Sequence, residues 1–207
     1  MTCGNRVQPD MTLDTLPLRG QFMGNRGRLH DNGVIKRRFA SKLWITCTLR
    51  EKPARGKVPL NAPGHYTPLF FLDEAVACAA GHRPCAQCRR AVYNDFGAAW
   101  LRAFGTKARA AEMDAALHDA RLTDTRKAQR RFWWSASDLP EGVFVAWQGQ
   151  PHLIRQTDAL PYRPQGYARA VQRPVGLVEV ITPAPLVALM RAGWQPVMDA
   201  RGDRPNW

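Results

Sequence analysis

FFLDEAVACAAGHRPCAQCRR, residues 70–90, runs in order through a strand end, a small helix, a turn and two thiols three residues apart. Tyr66–Phe71 reads as a short strand. Leu72–Gly81 reads as a short alanine-rich helix, with Gly81 in the position where a helix ends on positive φ. Pro84 fixes one backbone angle just ahead of Cys85-Ala86-Gln87-Cys88, and a Cys-x-x-Cys aims two sulfurs at one point. Arg89 and Arg90 place positive charge beside the thiols, which favours thiolate. One such knuckle is half of a tetrahedral metal site, so the remaining ligands must come from elsewhere in the chain.

Upstream, Asp31-Asn32-Gly33 marks a tight hairpin, because these residues tolerate positive φ. Leu43, Ile45 and Cys47 then alternate with Trp44, Thr46 and Thr48, and the segment is expected to form a three-stranded antiparallel meander. Residues 52–65 read as a loop from their Pro and Gly content. Downstream, Val92, Phe96, Trp100 and Phe104 fall four apart and predict one helix. A second helix follows, with Met113 and Leu117 inward and Glu112, Asp114 and Asp119 outward. Residues 121–142 break the helical pattern. Beyond them, 142–148 and 151–156 predict a hairpin around Gly149-Gln150, 176–183 a further strand, and 184–193 a terminal helix. The class is α+β. The expected organisation is a loosely ordered lead (1–18), a zinc-binding α/β unit (19–105), a helical and basic-aromatic connector (106–137) and a β-rich module with a terminal helix (138–207).

Among the other cysteines, Cys78 lies between Val76, Ala77, Ala79 and Ala80 and reads as a small core residue. Cys3 falls in the lead. Cys47 sits on a strand ahead of the knuckle, the arrangement by which many small zinc modules close, and is the expected third ligand to Cys85 and Cys88. His30, on the hairpin, leads for the fourth position, with His65 next. His82 is too close to Cys85 for a comfortable ligand and is read as capping the turn. Asp114 and His118 share a helical face as an ordinary i, i+4 pair, and no catalytic residue is assigned.

Phe70–Arg90 resembles the end of the amino-terminal zinc-binding domain of the Ada DNA-repair family. There a short strand and an alanine-rich helix lead to Gly-aromatic-Arg-Pro-Cys-x-x-Cys-Arg. The resemblance covers about twenty residues and implies a structural zinc on a small α/β unit that lies along DNA. In Ada itself the first of the four cysteines accepts a methyl group from a damaged phosphotriester; here a structural metal without self-methylation is expected. That family supplies its first two ligands as Cys-x-x-x-Cys, whereas Cys47 is followed four residues on by Glu51. No Pro-Cys-His-Arg motif and no helix-turn-helix accompany the resemblance.

The chain has 207 residues, 45% of them hydrophobic, and a formal net charge of +13. Such an excess points to a polyanionic partner, with DNA favoured over RNA. The expected contacts are Arg26, Arg28, Lys36, Arg37, Arg38, Lys42 and Arg50 around the hairpin, Arg89 and Arg90 beside the knuckle, and Arg130 and Arg131. These last two lead, with Lys127 before them, into Phe132-Trp133-Trp134, which could stack on bases or anchor a core. Five cysteines, no apolar run of membrane length and no charged-then-apolar leader fit a reducing cytoplasm. The expected function is a zinc-stabilised DNA-binding protein in damage repair or its control. The alternatives are a repair enzyme (nuclease, glycosylase or methyl acceptor) and an RNA-associated factor.

Overall fold

The computed structural model describes residues 4–16, 19–49, 62, 64–126, 128–163 and 165–199. Cys3, Arg50, Glu51, Lys127 and nearly all of the 52–65 loop lie outside the described residues. The α+β class holds, and the carboxy-terminal part is β-rich.

The amino-terminal half builds a six-stranded sheet in the order β2-β1-β7-β3-β6-β8. Its strands are β1 (Arg6–Val7), β2 (Leu13–Asp14), β3 (Phe22–Asn25), β6 (Ile45–Thr48), β7 (Leu69–Phe71) and β8 (Arg83–Pro84). Within the segment expected as a loose lead, Arg6–Val7 and Leu13–Asp14 are strands of this sheet. Arg6 pairs in parallel with Phe70, and Val7 and Met11 are buried. The hairpin at Asn32-Gly33 is present as β4 (His30–Asp31) and β5 (Val34–Ile35), with φ of 46° and 77° at the turn. It forms a two-stranded sheet of its own, and β6 pairs with β3 instead of continuing a meander. Gly24 lets these strands close: a Cβ there would stand 2.0 Å from the Ile45 carbonyl oxygen.

Helix α1 (Glu74–Ala79) is wholly buried, and its small side chains let neighbouring backbones approach. Asp73 caps it by accepting from Val76 N at 2.9 Å, and also accepts from Tyr167 OH and Asp199 N. The helix ends as predicted at Gly81, where φ is 82°, with Gly81 N donating to Cys78 O and His82 N to Ala77 O. The chain then enters β8 and the knuckle, and continues as α2 (Arg90–Phe104) and α3 (Ala110–Arg121).

The second sheet, in the order β13-β12-β11-β10-β15-β9, is antiparallel throughout, with β14 also on β12. It comprises β9 (Phe132–Ser135), β10 (Phe144–Trp147), β11 (Gln150–Ile154), β12 (Asp158–Arg163), β13 (Gly166–Tyr167), β14 (Val171–Gln172) and β15 (Leu177–Val180). The basic-aromatic connector therefore ends as the edge strand β9. Side chains alternate between two cores. Val145, Ile154, Ala159, Val178 and Val180 pack with α2, α3 and α4 (Ala184–Arg191). Phe144, Leu153, Leu160 and Ile181 pack with α1 and the first sheet. A strand covered on both faces gains from burial at every position rather than every second one, which explains the continuous apolar run of β10. Among the described residues no helix is long and apolar enough to cross a membrane.

Candidate metal centre

Strand β6 receives β3 on one side, with Met23 opposite Cys47, and β8 in parallel on the other. Arg83 N donates to Trp44 O at 3.1 Å and Cys85 N to Thr46 O at 2.9 Å, so the knuckle begins beside Cys47. Arg89 N then donates to Cys85 O at 3.1 Å and closes the knuckle onto α2. The sulfurs of Cys47, Cys85 and Cys88 all lie within 4.8 Å of one another. Two thiolates on a tetrahedral zinc with ~2.3 Å bonds stand ~3.8 Å apart, a separation within that limit, so this donor set could hold such an ion.

The electrostatics fit the same purpose. Cys85 is lowered to about 4, chiefly by the hydrogen bond from Cys47, with the Cys88 and Gln87 amides adding to it against burial. Gln87 N donates to Cys85 Sγ at 3.4 Å. Cys47 is pushed upward by the neighbouring Cys85 and by burial. Three thiols crowded so that they cannot all ionise favour a cation among them. Cys78 is buried outside this group, as a core residue.

The structure does not bring His30 to the thiols. Its Nδ1 is 2.6 Å from Thr67 Oγ1 and its Nε2 3.4 Å from Ala62 O, and it stays inside the hairpin's base. Among the described residues no other ligand, His65 included, joins the three cysteines.

Of the expected phosphate contacts, Arg28, Lys36, Arg37, Arg38, Lys42 and Arg90 are exposed. Arg130 and Arg131 are exposed and paired with Asp124 and Glu179. Two others are not on the surface. Arg89 lies across Phe22 and is in a buried pair with Glu74, whose carboxylate also accepts from Val197 N at 3.0 Å. Arg26 is fully buried, its Nε donating to His82 Nε2 at 3.2 Å and its Nη1 to Met11 O at 3.1 Å. Trp133 and Trp134 are exposed, while Phe132 packs on the core.

Arg26 belongs to a buried polar cluster that the sequence reading missed. Its guanidinium and that of Arg121 lie 4.1 and 4.0 Å from the Trp44 ring. Arg121 donates to the carbonyls of Gly81 and Lys42, and Arg83 grips Asp114 through two 2.8 Å bonds. Asp114 and His118, expected outward, are both buried here. One signal was available: Met113, Asp114, Leu117, His118 and Arg121 fall on one helical face, so a polar stripe shares the apolar side of α3. Gly81 carries no Cβ where Arg121 passes, since one would stand 2.6 Å from its Cδ.

No protein family, no curated protein and no solved structure matches this chain.

Proposed function

We propose that this chain is a zinc-stabilised nucleic-acid-binding protein, with DNA the favoured partner and DNA damage repair or its control the favoured setting. The observation that carries the reading is the convergence of Cys47, Cys85 and Cys88, with exposed Lys36, Arg37, Arg38 and Lys42 on the hairpin and loop that lead along the chain into β6. A thiolate-rich site suits zinc, and the exposed cations suit phosphates. The resemblance of residues 70–90 to the Ada zinc-binding unit supports the same pairing of metal and DNA.

In this reading Cys47, Cys85 and Cys88 hold the ion, and the ion's contribution is structural. It ties β6 to the start of α2 and so braces that edge of the six-stranded sheet. The test is elemental analysis of the purified protein together with fluorescence anisotropy on duplex DNA, single-stranded DNA and RNA. One zinc per chain, lost in Cys85→Ser with loss of the amino-terminal sheet, is the expected result. Metal-free protein that is fully folded, or binding indifferent to all three nucleic acids, would sink the reading.

A further inference from the structure

His118 sits in a contact that its own chemistry cannot satisfy. Its Nδ1 lies 3.2 Å from Arg121 Nη2 and its Nε2 lies 2.6 Å from Arg126 Nη1. A guanidinium only donates, and a neutral imidazole accepts on one nitrogen alone. One of the two contacts therefore sets donor against donor. Protonating the ring would make both unfavourable, and burial with Arg121 and Arg126 holds His118 down to about 4. Phe39 and Trp44 pack on the ring, so it cannot turn away.

Arg126 is the member free to move. It is exposed, at the turn of the short hairpin joining α3 to β9, and its backbone stands at φ 55°, where a side chain is strained. Beside it opens a cavity of about 230 Å³ lined by His118, Leu122, Thr123, Arg126 and Arg130 and by the carboxylates of Asp119 and Asp124. Behind it, Arg26 and Arg121 form no ion pair with any described residue. Arg26 Nη2 and Arg121 Nε have no hydrogen-bond partner there either. Both lining carboxylates are exposed, and among the described residues their ion pairs are with Arg126 at 3.8 Å and Arg130 at 2.5 Å, so they can swing into water as those arginines turn to a ligand.

We propose that this cavity is a binding site for a phosphate group, in which Arg126 releases His118 and, with Arg130 and the His118 Nε2–H, holds the phosphate oxygens. A phosphate offers acceptors on every side and no donor need oppose the guanidinium groups. Once Arg126 has turned, Nδ1 accepts from Arg121 and Nε2 carries the proton toward the ligand, so each contact becomes donor to acceptor. The ring changes tautomer through solvent and takes up no net proton. The site does not depend on the nucleic-acid reading, since a free phosphate and a nucleic-acid end offer the same group.

The test is imidazole nitrogen NMR of the full chain, titrated at constant ionic strength with inorganic phosphate, with a 5′-phosphorylated oligonucleotide and with the same oligonucleotide unphosphorylated. Expected is a saturable conversion of His118 Nε2 from unprotonated to protonated. Conversion by free phosphate assigns the site to a small anion; conversion by the phosphorylated oligonucleotide alone assigns it to a nucleic-acid end. Arg126→Gly should abolish the conversion while leaving the melting temperature equal or higher, because glycine accepts the positive φ. No conversion with either phosphate source, or one that survives Arg126→Gly, overturns the proposal. Where neither phosphate source moves the His118 signals although the oligonucleotide binds, the proposal falls and the nucleic-acid reading stands.

Discussion

Glu74→Gln should be among the most damaging conservative changes in this protein. The Glu74 carboxylate is buried at the start of α1 and accepts from both Arg89 Nη atoms and from Val197 N. Arg89 is only 7% exposed, so neutralising its partner leaves a positive charge in the interior with little water to solvate it. Breaking such a pair from one side costs about 3–5 kcal/mol, and the weakened acceptor for Val197 N adds about 1 kcal/mol. Replacing both partners removes the charge instead of stranding it. Glu74→Leu with Arg89→Met should therefore recover most of the loss, since Met can still lie over Phe22, where the guanidinium stands 4.8 Å from the ring. Urea denaturation at fixed zinc of the parent, Glu74→Leu, Arg89→Met and the double variant gives the cycle directly, with Glu74→Gln measured beside them. A Glu74→Gln loss below about 1 kcal/mol, or a double variant no better than the worse single one, would refute the reasoning. The same variants test Arg89 as a phosphate contact: folded Arg89→Met should bind DNA as the parent does, because the side chain does not reach the surface.

Other outcomes follow from the same structure. If the exposed hairpin cations contact phosphates, log affinity falls linearly with log salt, and Arg37→Ala with Arg38→Ala should flatten the slope by roughly two contacts' worth; an unchanged slope would move the interface elsewhere. Burial above all holds Asp73 up to about 6, so between its unfolded value near 3.8 and 6 the folded chain carries a proton that the unfolded chain lacks. That carboxyl thus favours the fold as pH falls through the window, and Asp73→Asn should make acid destabilisation steeper by about 1.4 kcal/mol per pH unit, read from urea midpoints between pH 4 and 6. His82 and His118 act the other way. Both are held below 6.5 by burial and by neighbouring arginines, so the unfolded chain takes up their protons first and stability drains as pH falls below 6.5. Zinc-loaded protein incubated with methyl-phosphotriester DNA should keep its mass; a methyl group mapped to Cys47 and absent from Cys47→Ala would favour the enzyme reading.

Local signals were legible wherever one short segment decided the outcome. The strand, helix, Gly81 stop and knuckle of residues 69–88 are read from periodicity and turn chemistry, and so are the hairpin at Asn32-Gly33 and the one expected around Gly149-Gln150, whose turn falls one residue earlier at Gln148-Gly149. Pairing between distant strands was not. Nothing local to Ile45–Thr48 distinguishes the β4–β5 hairpin from β3 as its neighbour; Gly24, the residue that admits the close approach, reads equally well as loop. Arg6–Val7 and Leu13–Asp14 are too short to show a period; the first is a strand because β7 offers it an edge, and the second because the first does. Charge was misjudged for a related reason. An arginine in a basic run looks like surface, yet Arg26 and Arg89 are buried because Trp44, His82 and Glu74 are waiting for them in three dimensions.

Residues 81–90 join the candidate metal centre to the buried cations, and this explains why so many unlike residues share ten positions. Gly81 gives Arg121 room to pass and accepts its Nη1. His82 accepts from Arg26. Arg83 holds Asp114 and so fixes α3, while its backbone holds β6 in register with Cys47. Cys85 and Cys88 face Cys47, and Arg89 fastens the knuckle to α1. An ion bound by the thiols would therefore brace β6 and β8, and through Arg83 the helix that carries His118. Removing it should disturb the His118 ring signals as well as the thiols, although these lie on different elements. Chelation that empties the thiols and leaves the His118 signals unchanged would show that the two ends of the decapeptide act independently.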